Sequence, residues 1–446
     1  MSDLSDWVQR AARVFPGGVL GSHRNGPLEF VVREARGPYL WDTTGRRYID
    51  YLLGSGPMLL GHAHPAVVEA VQRQIRGGST YMLLNEPVIE LAEAVVAAVP
   101  CAEQVRFTAS GSEATFFALR VARAYRRRDK ILKFEGGWHG THDYGAVSVS
   151  TRSPKAFPAP TLDSAGVPQA VGDTVLVAPY NDLAATEAII AAHHQELAAV
   201  VCEPYQRVIV PAPGFLAGLR EVTRRYGVLL IFDEIVTGFR LAYGGAQEYY
   251  GVVPDLVALG KVLGGGFPLA AVAGPAEIMR HFDPALEGTA DYVWQAGTLN
   301  GNPIAAAAGL ATLAELRRPG TYERLHRLGR RLRDGLAQAA RRHGLAAQVS
   351  GEPPVFDILF TDRPIVDYRS TLAADPAKIR AFNHECLKRG VVKAVNKIYV
   401  STAHTEADVE ETVSVFDQAL AAVAAGTGDP RRTAGPGGLD SALRRE

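Results

Sequence analysis

The hydrophobic rhythm of the chain changes twice along its length. Between residues 104 and 261, short and nearly continuous apolar runs (VRFTAS, DTVLVAP, LAAVVCEP, VLLIFDE and LVALGK) alternate with segments whose apolar residues recur every three or four positions. Runs of the first kind predict strands buried on both faces. The second kind predicts the helices that cover them, and together they specify an α/β fold with a parallel sheet. In EATFFALRVARAY, for example, Phe117, Val121 and Ala124 share one helical side. Further strands are predicted at 130–134 and 146–150, and the loop-rich insert that follows is long enough to imply function or mobility. Upstream, residues 4–14 predict an amphipathic helix, 28–34 a strand, and YLWDTTGRRYIDYL a hairpin about Thr44 and Gly45. Residues 65–76 and 90–99 predict helices, the first with Val67, Val68, Val71 and Ile75 on one face. Downstream, PIAAAAGLATLAEL predicts an alanine-rich helix able to pack closely, and Arg317-Arg318-Pro319-Gly320 marks a change of domain. The remainder reads as a smaller α+β unit, with helices at 322–343, 376–389 and 406–424 and strands near 356–360 and 397–401. Residues 425–446 are rich in Gly, Pro and Arg, carry no apolar pattern, and are expected to be disordered.

Composition narrows the function classes. Lys+Arg and Asp+Glu both number 47, so the formal net charge is zero and offers no electrostatic basis for binding nucleic acid or a membrane surface. With 446 residues, 47% of them hydrophobic, the chain can fill a large core. Cys101, Cys202 and Cys386 lie far apart with no CxxC spacing, which argues for a reducing compartment rather than a disulfide or zinc framework. No apolar run reaches membrane-spanning length, and MSDLSDWVQRAARVF lacks the apolar core of a signal peptide. The expectation is a soluble, cytoplasmic protein.

Candidate chemistry gathers at LGKVLGGGFP. Lys261 follows an apolar run and precedes three glycines, while Asp233 ends the earlier apolar run LLIFDE. A lysine that forms an imine and an aspartate that keeps a ring nitrogen protonated are the two charges that pyridoxal phosphate chemistry needs most. Taken singly, Lys261 reads as an exposed loop lysine and Asp233 as a helix cap or ion-pair partner. SGSEA, carrying Gly111 and Ser112, joins a strand to a helix; it reads as an ordinary cap or as a phosphate site at a helix N-terminus. Nucleotide motifs lack their defining residues. Gly260-Lys261 is followed by Val262 where a P-loop needs Ser or Thr, and the glycine clusters end in Leu269 and Leu59 where GxGxxG needs glycine. In FEGGWHG, Trp138-His139 follows an apolar strand, where an aromatic residue either joins the core or lies flat on a cofactor ring. His62 and His64 have no third ligand at zinc spacing, so no metal site is expected.

SGSEA, FEGGWHG, APYND, LLIFDEIVTGFR, GGAQEYYGVVPDLVALGKVLGGGFP and QAGTLNGNP, in this order, resemble the class III aminotransferases of fold type I. FPGGV, WDTTGRRYIDY, GPMLLGHAHP and AHTEAD extend the resemblance toward the glutamate-1-semialdehyde 2,1-aminomutases, over residues 15–420 or so. The resemblance implies pyridoxal 5′-phosphate as cofactor, with pyridoxamine 5′-phosphate as its aminated form. It implies a large cofactor domain over 61–317, a small domain over 318–424, and an N-terminal segment, 1–60, that contributes to the small domain and the active site. By position it makes Lys261 the Schiff-base lysine, Asp233 the partner of the pyridine nitrogen, and Ile235 the residue beneath the ring. Gly111 and Ser112 match the phosphate turn, and Trp138, with His139 beside it, stands where a stacking tyrosine is usual. Glu203 and Gln206 match the EPxQ pair. Thr298 matches a threonine that reaches the phosphate of a neighbouring subunit, which implies a homodimer. Arg24 matches an arginine that binds the substrate carboxylate.

The departures concern the substrate. The aminomutases carry a glutamate-bearing loop before AHT, but here 390–404 holds no acidic residue. Aminotransferases of the γ-amino type have Gly-Glu where this chain has Arg207-Val208, and Ser55 replaces a tryptophan found in many aminomutases. The expectation is therefore an aminotransferase moving nitrogen from an amino-acid donor to a keto or aldehyde acceptor, at least one of them a carboxylate. The alternatives are the aminomutase itself and a non-catalytic protein of the same fold. Arg207, Lys393, Asn396 and Lys397 are candidate specificity residues that otherwise read as surface or loop.

Overall fold

The computed structural model of the protein describes residues 4–21 and 30–426. Fourteen strands, β1 to β14, form three sheets among these residues. Three come first: β1 (Val32–Arg36), β2 (Tyr39–Asp42) and β3 (Arg47–Tyr51). β2 and β3 form the expected antiparallel hairpin. The predicted strand at 28–34 begins later, at Val32. The helix Leu4–Val14 has the expected limits.

The large sheet comprises β4 (Gln104–Thr108), β5 (Lys130–Phe134), β6 (Val175–Ala178), β7 (Leu197–Cys202), β8 (Leu229–Glu234), β9 (Leu256–Leu259) and β10 (Ala270–Gly274). Their spatial order is β4-β10-β9-β8-β7-β5-β6. β9, β8, β7, β5 and β6 pair in parallel, and β10 runs antiparallel to both of its neighbours. Every residue of β6 to β10 is buried, as unbroken apolar runs require when helices cover both faces. Helix Gly111–Arg126 packs Phe117 and Val121 into one of these faces. β10 escapes sequence reading because the glycines before it obscure the short run AAVAG.

The strand predicted at 146–150 does not form. Val147 makes a single bridge with Leu162, and other groups satisfy the rest of the segment. Lys133 Nζ donates to the carbonyls of Gly145 (3.4 Å) and Val147, and the Asp163 carboxylate accepts from Val149 N (2.5 Å) and Ser150 N (2.9 Å). With those partners supplied, the backbone needs no ladder.

Helix Pro303–Leu316 lies behind the turn Lys261–Gly264. A Cβ on Gly309 would sit 2.4 Å from the Leu263 carbonyl oxygen, so only glycine permits this contact. Downstream, β11 (Gln348–Glu352), β12 (Val355–Leu359) and β14 (Ile398–Tyr399) form a three-stranded sheet. β13 (Val391–Lys393) instead pairs in parallel with β3, which completes a four-stranded sheet from opposite ends of the chain. The Tyr51 hydroxyl lies 3.0 Å from Thr412 Oγ1 on helix Glu406–Ala424. On helix Pro65–Ile75 only part of the expected apolar face is covered: Val67 is buried, while Val68 and Ile75 are 37% and 57% exposed. The tail beyond 426 lies outside the described residues. Among those residues no helix is long and apolar enough to cross a membrane.

Candidate active site

Lys261 begins the turn that follows β9, at the carboxyl edge of the parallel strands, where open α/β sheets bind ligands. Its backbone is left-handed (φ 47°), as is that of Ser55 (φ 69°), whose carbonyl accepts from Lys261 Nζ at 2.8 Å. Non-glycine residues held in this region store roughly 1–3 kcal/mol of strain and cluster at functional sites. Burial holds the Lys261 ammonium below the ordinary lysine value, which favours the neutral, nucleophilic amine. Asp233, near the end of β8, is 5% exposed. One carboxylate oxygen accepts from Ile235 N (3.1 Å) and the other lies 2.7 Å from His139 Nδ1. Burial pushes the Asp233 carboxyl up to about 7, against the opposing pull of the Ile235 amide and the Lys261 charge. Burial and the nearby Lys133 charge drive His139 down to about 3, so the imidazole is neutral and its Nδ1–H is the donor to Asp233.

Ile235 connects these groups to the phosphate-type turn. A Cβ on Gly111 or on Gly260 would come within 3.0 Å of Ile235 Cδ1, so both glycines are needed for the close fit. Ser110 caps helix Gly111–Arg126 and accepts from Glu113 N, while Glu113 Oε2 accepts from Ala109 N. The first-turn amides of Gly111 and Ser112 have no acceptor inside the helix and point to an anion. Ser112 Oγ accepts from Thr141 N at 3.0 Å, and Gly140 lies so close that a Cβ there would be 2.7 Å from Ser112 Cα. The loop carrying Trp138, His139 and Gly140 is therefore packed on the helix N-terminus. Lys133, fully buried on β5, holds the same loop through the carbonyls of Gly137 (3.0 Å), Gly145 and Val147. Sequence reading missed Lys133, because a lysine inside KILKF has no signal that separates it from a strand-edge lysine.

Glu203 and Gln206 are buried just beyond β7. Glu203 Oε1 accepts from Trp138 N (2.7 Å), and Oε2 from Arg207 N (3.4 Å). Gln206 Nε2 donates to the Glu135 carbonyl (2.8 Å). Arg207, again left-handed (φ 60°), donates from Nε to the Gly136 carbonyl at 2.9 Å and places its guanidinium 5.7 Å from the Trp138 ring. Trp138 itself is 41% exposed. A cavity of about 1150 Å³ extends from Trp138, Gly140 and Arg207 past Asp357 and Asn396 to Val8 of the first helix. Lys261 and Asp233 are not on its wall; Asp233 is joined to His139, which lies between the lining residues Trp138 and Gly140.

Lys261, Asp233, Ile235, Gly111, Ser112, Trp138, His139, Glu203 and Gln206 are thus brought together. Thr298 is not: it is exposed on the turn after Gly297. Arg24 lies outside the described residues. His62, considered above as a possible metal ligand, pairs with Asp50 at 2.7 Å.

The arrangement fits pyridoxal phosphate. Gln206 Oε1 and His139 Nε2 are buried and lack partners among the described residues, as expected of groups that a ring hydroxyl and ring edge would satisfy. Asp233, pushed up by burial, would regain its charge beside a protonated ring nitrogen.

These features define a fold type I enzyme that uses pyridoxal phosphate. The sequence signature described as aminotransferase class-III matches residues 20–420, and the chain belongs to that family. It is 42% identical over 425 residues to a glutamate-1-semialdehyde 2,1-aminomutase of Roseiflexus castenholzii (strain DSM 13941 / HLO8), covering 93% of this chain and 96% of that protein. The crystal structure of an omega-transaminase from Sphaerobacter thermophilus superposes with a TM-score of 0.90 at 38% identity, over 95% of this chain and 98% of the other. A glutamate-1-semialdehyde aminomutase from Pseudomonas aeruginosa PAO1, in complex with PMP, superposes with a TM-score of 0.83 at 28% identity, over 93% of each chain.

Proposed function

We propose that the protein is a transaminase that moves an amino group between an amino-acid donor and a keto or aldehyde acceptor, at least one of them a carboxylate. Pyridoxal phosphate, when bound, supplies an electrophilic aldehyde and a conjugated electron sink. Lys261 Nζ would hold the cofactor covalently at rest and move the proton at the substrate Cα. Asp233, oriented by His139, would keep a proton at the ring nitrogen. Ile235 and Trp138 would flank the ring, Gln206 would meet its hydroxyl, and Gly111 and Ser112 would receive the phosphate, while Glu203 fixes the Trp138 backbone. Arg24 is assigned to a substrate carboxylate by resemblance alone.

One observation carries the choice of transaminase. The Lys261/Asp233 set is complete, while the 390–404 segment that would bear the aminomutase glutamate is instead β13, a tight Ala394–Lys397 bridge and β14, with buried lysines at 393 and 397. A cavity near 1150 Å³ also exceeds the roughly 300–1,000 Å³ that suffices for a drug-sized ligand. The aminomutase remains the second reading, supported by the identity to the Roseiflexus protein. A panel of amino donors should bleach the visible absorbance of the holoenzyme and leave pyridoxamine phosphate. The transaminase reading fails if none does so, and conversion of glutamate-1-semialdehyde to 5-aminolevulinate without an external donor would establish the aminomutase.

A second copy of the chain is proposed to complete the site, with Thr298 reaching the neighbour's phosphate. The support is a cluster of exposed apolar side chains: Met82 (67%), Leu83 (77%), Leu84 (85%) and Ile89 (45%). A separate apolar groove of about 280 Å³ is lined by Met58, Val68 and Phe267. A monomer leaves this surface in water. Light scattering should give the mass of two chains at micromolar concentration; a single-chain mass removes the role of Thr298. The three cysteines are free and buried, which supports a reducing, cytoplasmic setting.

A further inference from the structure

The excursion between β12 and helix Pro376–Lys388 has no task in the reaction scheme above, yet it is pinned against the loop that carries Trp138. It contains a short helix, Tyr368–Thr371, started by a capping box: Asp367 accepts from Ser370 N (2.7 Å) and Ser370 Oγ from Asp367 N (3.0 Å). Loops of the seven-stranded sheet hold this helix at several points. Asn181, beyond β6, donates from Nδ2 to the Val366 carbonyl at 2.8 Å. Glu135, the residue after β5, is 4% exposed and takes Arg369 in a two-pronged pair, Nε to Oε2 at 2.7 Å and Nη2 to Oε1 at 3.1 Å. The loop-rich insert beyond residue 150 supplies the rest. Its Thr151 carbonyl accepts from the Tyr368 hydroxyl (3.0 Å), its Lys155 carbonyl accepts from Arg369 Nη2 (2.6 Å), and its Phe157 ring lies 4.1 Å from the Arg369 guanidinium. A bidentate arginine–carboxylate pair with a buried carboxylate fixes direction as well as distance.

These contacts leave Tyr368 little freedom. A Cβ on Gly136 would come 2.4 Å from Tyr368 Cδ2, and Gly136 is left-handed (φ 82°), so glycine alone lets the ring sit there. Tyr368 lines the large cavity together with Gly136, Trp138 and Arg207. Val149, Ile209 and Leu359 give the same cavity an apolar character, and the Tyr368 hydroxyl is already engaged by Thr151. What Tyr368 offers a ligand is therefore its ring. A ring held at this many points cannot swing aside, so a substituent that overlaps it incurs the cost of overpacking.

We infer that Tyr368 is a specificity-determining residue: its ring, fixed on Gly136 by the Arg369–Glu135 pair, limits how bulky an apolar group the substrate can carry on the Trp138 side of the cavity. The inference rests on the transaminase reading for its reaction, and on the cavity alone for its binding event. Tyr368 takes no part in proton transfer, and Arg369 is a positioning residue that acts through it.

The test compares two donors on the holoenzyme, 2-aminobutanoate and 2-amino-4-phenylbutanoate, which differ by a terminal phenyl group. Tyr368→Ala should raise the ratio of kcat/KM for the phenyl donor over the smaller one roughly 10- to 100-fold, the scale on which pocket volume discriminates. Tyr368→Trp should lower the ratio. Tyr368→Phe, which loses only the bond to Thr151, should keep it near the wild-type value, and Arg369→Gln should raise it by a smaller factor than Tyr368→Ala. A residue with a purely structural role would move both donors together, so an unchanged ratio in Tyr368→Ala overturns the inference. A fall in that variant overturns it too, because the ring would then attract the phenyl group rather than limit it. If Tyr368→Ala does not fold, Tyr368→Trp decides, and an unchanged ratio there has the same force. An unchanged ratio in Arg369→Gln overturns the positioning role of the pair. Calorimetric titration with butanoate and 4-phenylbutanoate, which carry no amino group, reads the same preference as a ratio of affinities. If no donor reacts with the wild type, the transaminase reading fails while this titration still decides Tyr368. An affinity ratio equal in wild type and Tyr368→Ala, or no binding of either acid to any of the proteins, overturns the inference.

Discussion

Replacing Lys261 by alanine should lower turnover by at least about a thousandfold, the scale on which loss of a covalent nucleophile acts, and abolish covalent attachment of the cofactor. The fold should survive. Lys261 Nζ makes one hydrogen bond, to the Ser55 carbonyl, and the turn beneath it is anchored independently by the packing of Leu263 on Gly309. Mass spectrometry after borohydride reduction separates the two outcomes. The wild type should gain one cofactor mass and the variant none. A variant that keeps its turnover would remove Lys261 from the mechanism. Lys261→Arg should fail as well: the charge is kept, but a guanidinium stays protonated and cannot attack a carbonyl.

The second large effect is expected at Asp233. Asn in its place keeps the shape and the contact with Ile235 N but cannot balance a positive ring nitrogen, so turnover should fall by about a hundredfold or more. The same substitution should act in the opposite direction on the cofactor-free protein. Burial raises the folded-state pKa of Asp233 from 3.8 to about 7. Between those values the folded chain holds a proton that the unfolded chain has released. Stability of the apoprotein therefore declines as pH rises from about 4 to 7, and the loss is complete above that window. Glu234, raised by its own burial, titrates in the same range, so the wild-type curve alone does not isolate Asp233. The difference between wild type and Asp233→Asn does. The variant apoprotein should melt higher than wild type at pH 8 and show a flatter pH profile by differential scanning fluorimetry. An inactive variant that is also less stable at pH 8 would mean that Asp233 is not held against its charge in the empty site.

The sheet was legible, β10 apart, because its strands are buried on both faces and carry mainly apolar residues. The same rule misled at 146–150, where the apolar residues are real but Lys133 and Asp163 take the backbone groups a ladder would use. It also passed over β13, three residues whose pairing partner lies near the other end of the chain. In the site, Lys261, Asp233, Gly111 and Ser112 each stand at a strand end or helix start, and that placement can be read from local pattern. Lys133 and Lys397 are different. Both are buried by the way the chain folds back over them, Lys133 under the loop that carries Gly137, Gly145 and Val147, and nothing in the local apolar pattern distinguishes either from a solvated lysine. The two ends of the polarity scale thus differ in legibility: apolar burial announces itself, whereas charged burial depends on partners elsewhere.

The pairing of β3 with β13 has a consequence for how the protein is made. The Tyr51–Thr412 contact joins residues 361 positions apart, so the N-terminal hairpin leaves the ribosome long before its partners exist. The seven-stranded sheet, contained between residues 104 and 274, can assemble in the meantime. The first strands synthesised are then among the last to be docked, and their unpaired edge must be shielded through most of translation. The cavity wall carrying Asp357 and Asn396 is therefore completed only after the central sheet has been synthesised.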